Sequence, residues 1–181
     1  MLASRSPRRS ALLQDAGYDI EVCPADVEEH QRSDESPRAY VSRLAVDKVV
    51  AVAQRYPKQI VIGADTVVVL DDVVFGKPLD RAEAVGMLTK LSGRTHTVLT
   101  GVVVMRGSTV FKGVESTEVT FVELTSARID WYVSRGESDD KAGAYAAQGV
   151  GSRLIERING SYTNVVGLPM AMVDRFVRKF E

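Results

Sequence analysis

The chain has 181 residues, 45% hydrophobic and 26% charged, enough to bury a core and suited to one domain spanning residues 1–181. Its 23 basic and 24 acidic residues give a formal net charge of -1, which excludes a broad electrostatic footprint for nucleic acid, so any anionic ligand must be met by a local cluster. A single cysteine, Cys23, excludes an intrachain disulfide, no apolar run approaches the ~20 residues of a membrane helix, and the N-terminus lacks a secretion-signal pattern. The expectation is a cytoplasmic enzyme or binding protein.

In "LASRSPRRSALL", Leu2 to Leu13, Pro7 suits the first position of a helix and Ser6 the capping position before it. That helix begins with Arg8 and Arg9, charges that its own dipole disfavours by a few tenths to about 1 kcal/mol; an anion reverses the sign. Free backbone N–H groups, the hydroxyls of Ser4 and Ser6 and the two guanidiniums together make a phosphate cradle, and the other reading is a pair of solvated arginines on a surface helix. Glu28 and Glu29 follow as either metal ligands or a solvated pair.

"PRAYVSRLAVDKVVAVAQRY" places Tyr40, Leu44, Ala45, Val49, Val52 and Ala53 at helical steps, with Lys48 in the apolar row of Leu44 and Val52, where a lysine either snorkels or serves a site. "QIVIGADTVVVL" reads as a strand buried on both faces whose apolar run ends at Asp65, beside Thr66. A carboxylate at that point can hold a divalent cation or take a proton from water, or it can be a turn residue. Asp71-Asp72 suggests a turn with "VVF" returning. In "FGKP", Gly76 permits a tight turn and Lys77 is either a phosphate ligand or an ordinary exposed lysine.

"DRAEAVGMLTKLSG" is a helix capped by Asp80 and stopped by Gly93. Residues 95–124 are the most strand-like stretch, reversing at "RGST", and "TSARIDWYVSRG" is a helix between Thr125 and Gly136. "SDDKAGAYAAQGVGS" is a loop carrying Tyr145 and Gln148, a ring and an amide of the kind that read a nucleobase edge, or simply a structural turn. "INGSYTNVVGLP" is a second small-residue loop, and Pro169 suits the first turn of a last helix. Strands and helices interleave without strict βαβ order, which predicts an α/β fold with a mixed sheet.

His30 and His96 share no metal spacing, and neither a P-loop nor a G-x-S-x-G elbow is present, which leaves chemistry by metal and water. The ordered motifs "LASRSPRR", "GADTVV", "GKP", "SGRTHTVLTG", "DKAGAYAAQG" and "INGSYTNVVGLP" span nearly the whole chain, and with them the sequence resembles the Maf family of nucleoside triphosphate pyrophosphatases, once described as septum formation inhibitors. The resemblance implies an inosine-triphosphatase-like α/β fold, an elongated mixed β-sheet flanked by helices with a cleft between two lobes. It implies hydrolysis of a nucleoside triphosphate between the α- and β-phosphates, a divalent cation, magnesium or manganese, and a homodimer, with roles in nucleotide-pool cleansing and division arrest.

By position, the resemblance makes Asp65 the proton acceptor, Ser4, Ser6, Arg8, Arg9, Lys48 and Lys77 the substrate grip, Asp65 also a metal ligand, and Glu29 a metal or catalytic candidate. Arg9, Thr66 and Gln148 fall where the family sets its choice of base. The subgroup acting on 7-methyl-GTP tends to carry "GSD" and "CAGSF", whereas "GADT" and "DKAGAYAAQG" here resemble the subgroup acting on dTTP and UTP. The alternatives are a non-catalytic nucleotide-binding regulator of septum formation and a pyrophosphatase for another base such as 7-methyl-GTP. Relatives carry more apolar residues before "LAS" than the single Met1 here, so a clipped first strand and a less rigid phosphate loop are expected.

Overall fold

Two long strands organise the chain, β1 (Val61–Leu70) and β3 (Thr95–Arg106), both rich in β-branched residues and largely buried. The computed structural model describes residues 1–181. Ahead of β1 come helices α1 (Pro7–Asp15) and α2 (Pro37–Ala53); between β1 and β3 lie β2 (Val73–Phe75) and α3 (Arg81–Leu91). After β3 follow β4 (Thr109–Phe121), α4 (Ser126–Val133), 3₁₀ turns at Ala142–Ala144 and Gly149–Leu154, β5 (Ile155–Asn159), α5 (Tyr162–Val166), α6 (Met170–Val177) and a last 3₁₀ turn at Arg178–Phe180.

The sheet has five strands in the order β2-β1-β3-β4-β5. β1 pairs antiparallel with β2, and β4 with β5; parallel pairing is confined to isolated bridges from Leu2, which lies outside the five strands, to Val22 and Ile62. Residues 2 and 3 are tied on both sides: Leu2 N–H donates to the Glu21 carbonyl at 2.8 Å and Ala3 N–H to the Ile62 carbonyl at 2.8 Å. The segment leading into α1 is therefore anchored by backbone hydrogen bonds on both sides.

Local chemistry accounts for most boundaries. The Asp80 carboxylate accepts from the Glu83 N–H at 2.8 Å and the Thr125 hydroxyl from the Arg128 N–H at 3.3 Å, so α3 and α4 start where a capping side chain satisfies an otherwise orphaned donor. The β1–β2 reversal places Asp71 and Asp72 at φ of 50° and 64°, a left-handed region that aspartate tolerates. Ser6 stands at the N-cap of α1 with Pro7 behind it, as expected, but its side chain makes no capping hydrogen bond.

Two segments read as loops carry regular structure. "INGSYTNVVGLP" ends β5, whose Ile158 and Asn159 pair with Val119 and Glu118, and then forms α5. "SDDKAGAYAAQGVGS" winds into two 3₁₀ turns. A five-residue helix cannot hold itself together in isolation, so tertiary pairing and packing rather than local propensity create these elements.

Contacts divide the chain into two compact units: Met1–Thr66 with Leu99–Glu115 and Thr163–Glu181, and Val67–Val98 with Ser116–Tyr162. In the first, the two faces of the strands are covered by different helices. Ile62, Ala64, Val102 and Val104 pack with Leu13 of α1 and with Met172, Val173, Phe176 and Val177 of α6. Val61 and Val103 pack with Ala45, Val49, Val52 and Ala53 of α2. The even–odd split follows from the two-residue period of a strand. In the second unit α3 packs on α4 and on the Ala142–Ala144 turn, and His96, Phe121 and Tyr145 meet edge to face with ring centroids 4.8 to 5.3 Å apart. No helix is long and apolar enough to cross a membrane.

Candidate active site

Consecutive strand residues point to opposite faces, and at Asp65 and Thr66 that alternation separates two polar networks. Asp65 meets α2, whereas Thr66 meets α1. Helix α2 lies close on the sheet because two strand positions have no side chain. A Cβ built on Gly101 would overlap the backbone carbonyl of Val41, and one on Gly63 would come within 2.6 Å of Val49 Cγ2. The close approach seats Lys48 of α2 against β1.

Lys48 Nζ donates to Asp65 Oδ1 at 2.6 Å and lies 2.6 Å from Glu29 Oε1. The Lys48 and Asp65 side chains are 9% and 11% exposed, while Glu29 is 47% exposed, so one ammonium joins a buried carboxylate to a solvent-reaching one. The Tyr40 hydroxyl donates to the Glu29 carbonyl at 2.9 Å and fastens that segment to α2. Burial pushes the Asp65 carboxyl above the ordinary aspartate range, against the opposing pull of Lys48 and Arg9. The result is a carboxylate that stays beside cations yet holds a proton more readily than a solvated one.

Arg9 anchors the other face. Its Nε donates to the Gly167 carbonyl at 2.8 Å, Nη1 to the Ala64 carbonyl at 2.8 Å and to Ser4 Oγ at 3.1 Å, and Nη2 to Thr66 Oγ1 at 3.0 Å. A guanidinium has five N–H donors, so these four bonds leave one N–H on Nη2 outside them. Burial pulls Arg9 below the ordinary arginine value while the Asp65 charge opposes the shift. Ser4 Oγ also accepts from the Ser6 N–H at 3.2 Å, which shapes the turn into α1.

The sequence-derived residues thus fall into groups. Ser4, Arg9 and Thr66 form one hydrogen-bonded network, and Lys48, Asp65 and Glu29 form the other; both touch the backbone or side chains of residues 64–66. Ser6 and Arg8 are half-buried at the start of α1. Lys77 and Gln148 are exposed and belong to the second compact unit, where the Gly143 N–H donates to the Gly76 carbonyl at 3.0 Å and joins their two loops. Tyr145, whose ring looked available to a base, is 5% exposed and packs on His96 and Phe121, with its hydroxyl 2.8 Å from His96 Nε2.

Two positions escaped the sequence reading. Thr100 is fully buried with its hydroxyl 2.9 Å from that of Thr66, and Gly167 lends Arg9 a carbonyl. The signal for Thr100 was faint: threonine is itself a good strand former, so a polar residue inside "VLTGVVV" is not conspicuous.

Chemically, a buried acid paired with a lysine on one face of β1, and an arginine–serine network from the start of α1 on the other, suit proton transfer and anion binding respectively. Residues 1–180 match the family model described as "Maf-like protein". The chain is 49% identical over 99% of its length to a protein of Symbiobacterium thermophilum named dTTP/UTP pyrophosphatase, covering 93% of that relative. Proteins of the same name from Latilactobacillus sakei and Koribacter versatilis are 45% and 48% identical, over 98% and 99% of the chain and 98% and 93% of their own lengths. Matching along its entire motif order, and not only at the acid and the arginines, this chain belongs to the Maf family.

Proposed function

We propose that this chain hydrolyses nucleoside triphosphates, dTTP and UTP foremost, between the α- and β-phosphates, giving a nucleoside monophosphate and pyrophosphate. The single observation that carries the reading is the contact of Lys48 with both Asp65 and Glu29, directly beside the Arg9 network at residues 64–66. The names of the relatives supply the substrate.

In this reading Asp65 takes the proton of the attacking water. Its raised proton affinity suits the task, because a general base works best when its pKa approaches the operating pH. Lys48 keeps the carboxylate ionised before the transfer and holds it in place through the 2.6 Å hydrogen bond. Ser4, Ser6 and Arg8, with the positive end of α1, grip phosphate oxygens, and Lys77 adds charge from its own loop. Arg9, with four donors committed to the protein, orders the loop and offers its remaining N–H. Thr66 and Gln148 contribute to base choice.

No group of three or more His, Cys, Asp or Glu gathers into a protein-only metal cage. Asp65 and Glu29 nonetheless converge as hard oxygen donors, which fits the magnesium habit of one or two carboxylates completed by substrate phosphates. Asp65 and Glu29 would hold the magnesium or manganese. When bound, the ion neutralises charge that builds on the phosphates.

A panel of nucleoside triphosphates with magnesium, scored for pyrophosphate against orthophosphate, tests the proposal. The expected result is pyrophosphate release, fastest with dTTP and UTP. Orthophosphate as the product rejects the assigned bond, and binding without any release points instead to a non-catalytic nucleotide sensor.

A further inference from the structure

Thr100 is wholly buried on β3, yet nothing in the proton-transfer chemistry calls for it. A buried hydroxyl costs free energy unless it is hydrogen-bonded, and this one sits 2.9 Å from Thr66 Oγ1 and donates to the Asn164 carbonyl at 3.4 Å. The pair faces each other across β1 and β3 on the side that carries Arg9.

The proton count at Thr66 is restrictive. Its oxygen already accepts from Arg9 Nη2 at 3.0 Å, and its single hydroxyl proton has two protein takers, Thr100 Oγ1 at 2.9 Å and the Gly167 carbonyl at 3.4 Å. Both directions of that proton lead into the protein. Either hydroxyl can donate across the 2.9 Å contact; with the Thr100 proton spent on the Asn164 carbonyl, Thr66 donates to Thr100, a closer taker than Gly167, and so has no proton for a ligand and presents a lone pair.

We propose that Thr100 is a positioning residue that fixes Thr66 as a hydrogen-bond acceptor and thereby favours pyrimidine bases with a ring N–H. Thymine and uracil carry that N–H between two carbonyls, whereas cytosine has a bare ring nitrogen, an acceptor, at the same place. An acceptor facing an acceptor is a mismatch, so the arrangement favours dTTP and UTP over dCTP. The inference rests on the reading above that Thr66 takes part in base choice.

The test compares kcat/KM for dTTP and dCTP in the wild type, Thr100→Val, Thr100→Ser and Thr66→Val, with Tm recorded for each. Valine matches threonine in shape but lacks the hydroxyl, so Thr100→Val should lower the dTTP to dCTP ratio about tenfold, the worth of one hydrogen bond, while Thr100→Ser keeps it near wild type. Should the valine variant not fold, Thr100→Ala makes the same comparison. A Thr100→Val ratio equal to wild type, while Thr66→Val lowers it, overturns the role of Thr100 alone and leaves a packing residue detectable only in Tm. A ratio unmoved by Thr66→Val overturns the base-choice reading of Thr66 and the inference together, even though pyrophosphate release persists.

Discussion

The two compact units bury polar groups in opposite ways. In Met1–Thr66 with Leu99–Glu115 and Thr163–Glu181, the buried set includes the charged Arg9, with four hydrogen bonds, and Lys48, which pairs with Asp65 and Glu29. In Val67–Val98 with Ser116–Tyr162, the buried polar side chains are neutral: His96, Thr117 and Ser138, with the Tyr132 and Tyr145 hydroxyls among them. Charge in an interior is tolerated only when it is paired and hydrogen-bonded, so a fold that keeps such a cluster carries a cost that function explains better than stability does. Neutral groups avoid the cost of a buried charge and serve as core, although His96 Nδ1 is buried without a hydrogen-bond partner.

Breaking the charged network should produce the largest effect. Lys48→Met removes the cation shared by Asp65 and Glu29 and leaves the Asp65 carboxyl buried without its ammonium. Its pKa should climb further, and kcat at neutral pH should drop roughly 10³-fold, about 4 kcal/mol of barrier, read by steady-state pyrophosphate release. A variant with wild-type kcat would make Lys48 a snorkelling residue after all.

The neutral network should respond to pH in stability. Burial lowers His96 to about 4, from 6.5 when solvated, and the ring is uncharged when folded at neutral pH. Above pH 6.5 neither state binds the proton and the full stability is present. As pH falls from 6.5 toward 4 the unfolded chain protonates first, and stability falls by roughly 3 kcal/mol from this group, with no further loss below. His96→Gln keeps a polar end for the Tyr145 hydroxyl but cannot titrate, so its unfolding free energy should lose that slope. An unchanged slope in denaturant titrations across this range would assign the acid sensitivity to other groups.

Arg9→Lys sharpens the comparison at a smaller scale. An ammonium keeps the charge but cannot reach Gly167, Ala64, Ser4 and Thr66 in one plane, so about 2 kcal/mol of stability should be lost by chemical denaturation. Wild-type stability in that variant would mean that charge alone, without the planar fork, holds the loop.

Much of this was legible in the chain, for identifiable reasons. The α3 and α4 starts were readable because Asp80 and Thr125 carry out their capping locally, and the β1–β2 return because Asp71 and Asp72 tolerate the turn. The end of β5 and the whole of α5 were not, since "INGSYTNVVGLP" gains its structure from pairing with β4 and from packing. At the site, Asp65 stood out at the end of an apolar run and Lys48 in an apolar row, both anomalies of pattern. Arg9 was legible as a charge but not as a guanidinium with four protein acceptors, because those partners lie up to 158 residues away. Thr100 and Gly167 take their importance wholly from such distant partners.

The central claim is that the buried, cation-flanked Asp65 is the proton acceptor of triphosphate hydrolysis. Steady-state turnover of dTTP by Asp65→Asn, with dTTP affinity measured by calorimetry on the same protein, tests it most directly. The account predicts retained binding, an undiminished Tm because a carboxylate disfavoured by burial has become a neutral amide, and a kcat lower by roughly 10²–10⁴-fold. A kcat equal to that of the wild type would contradict it.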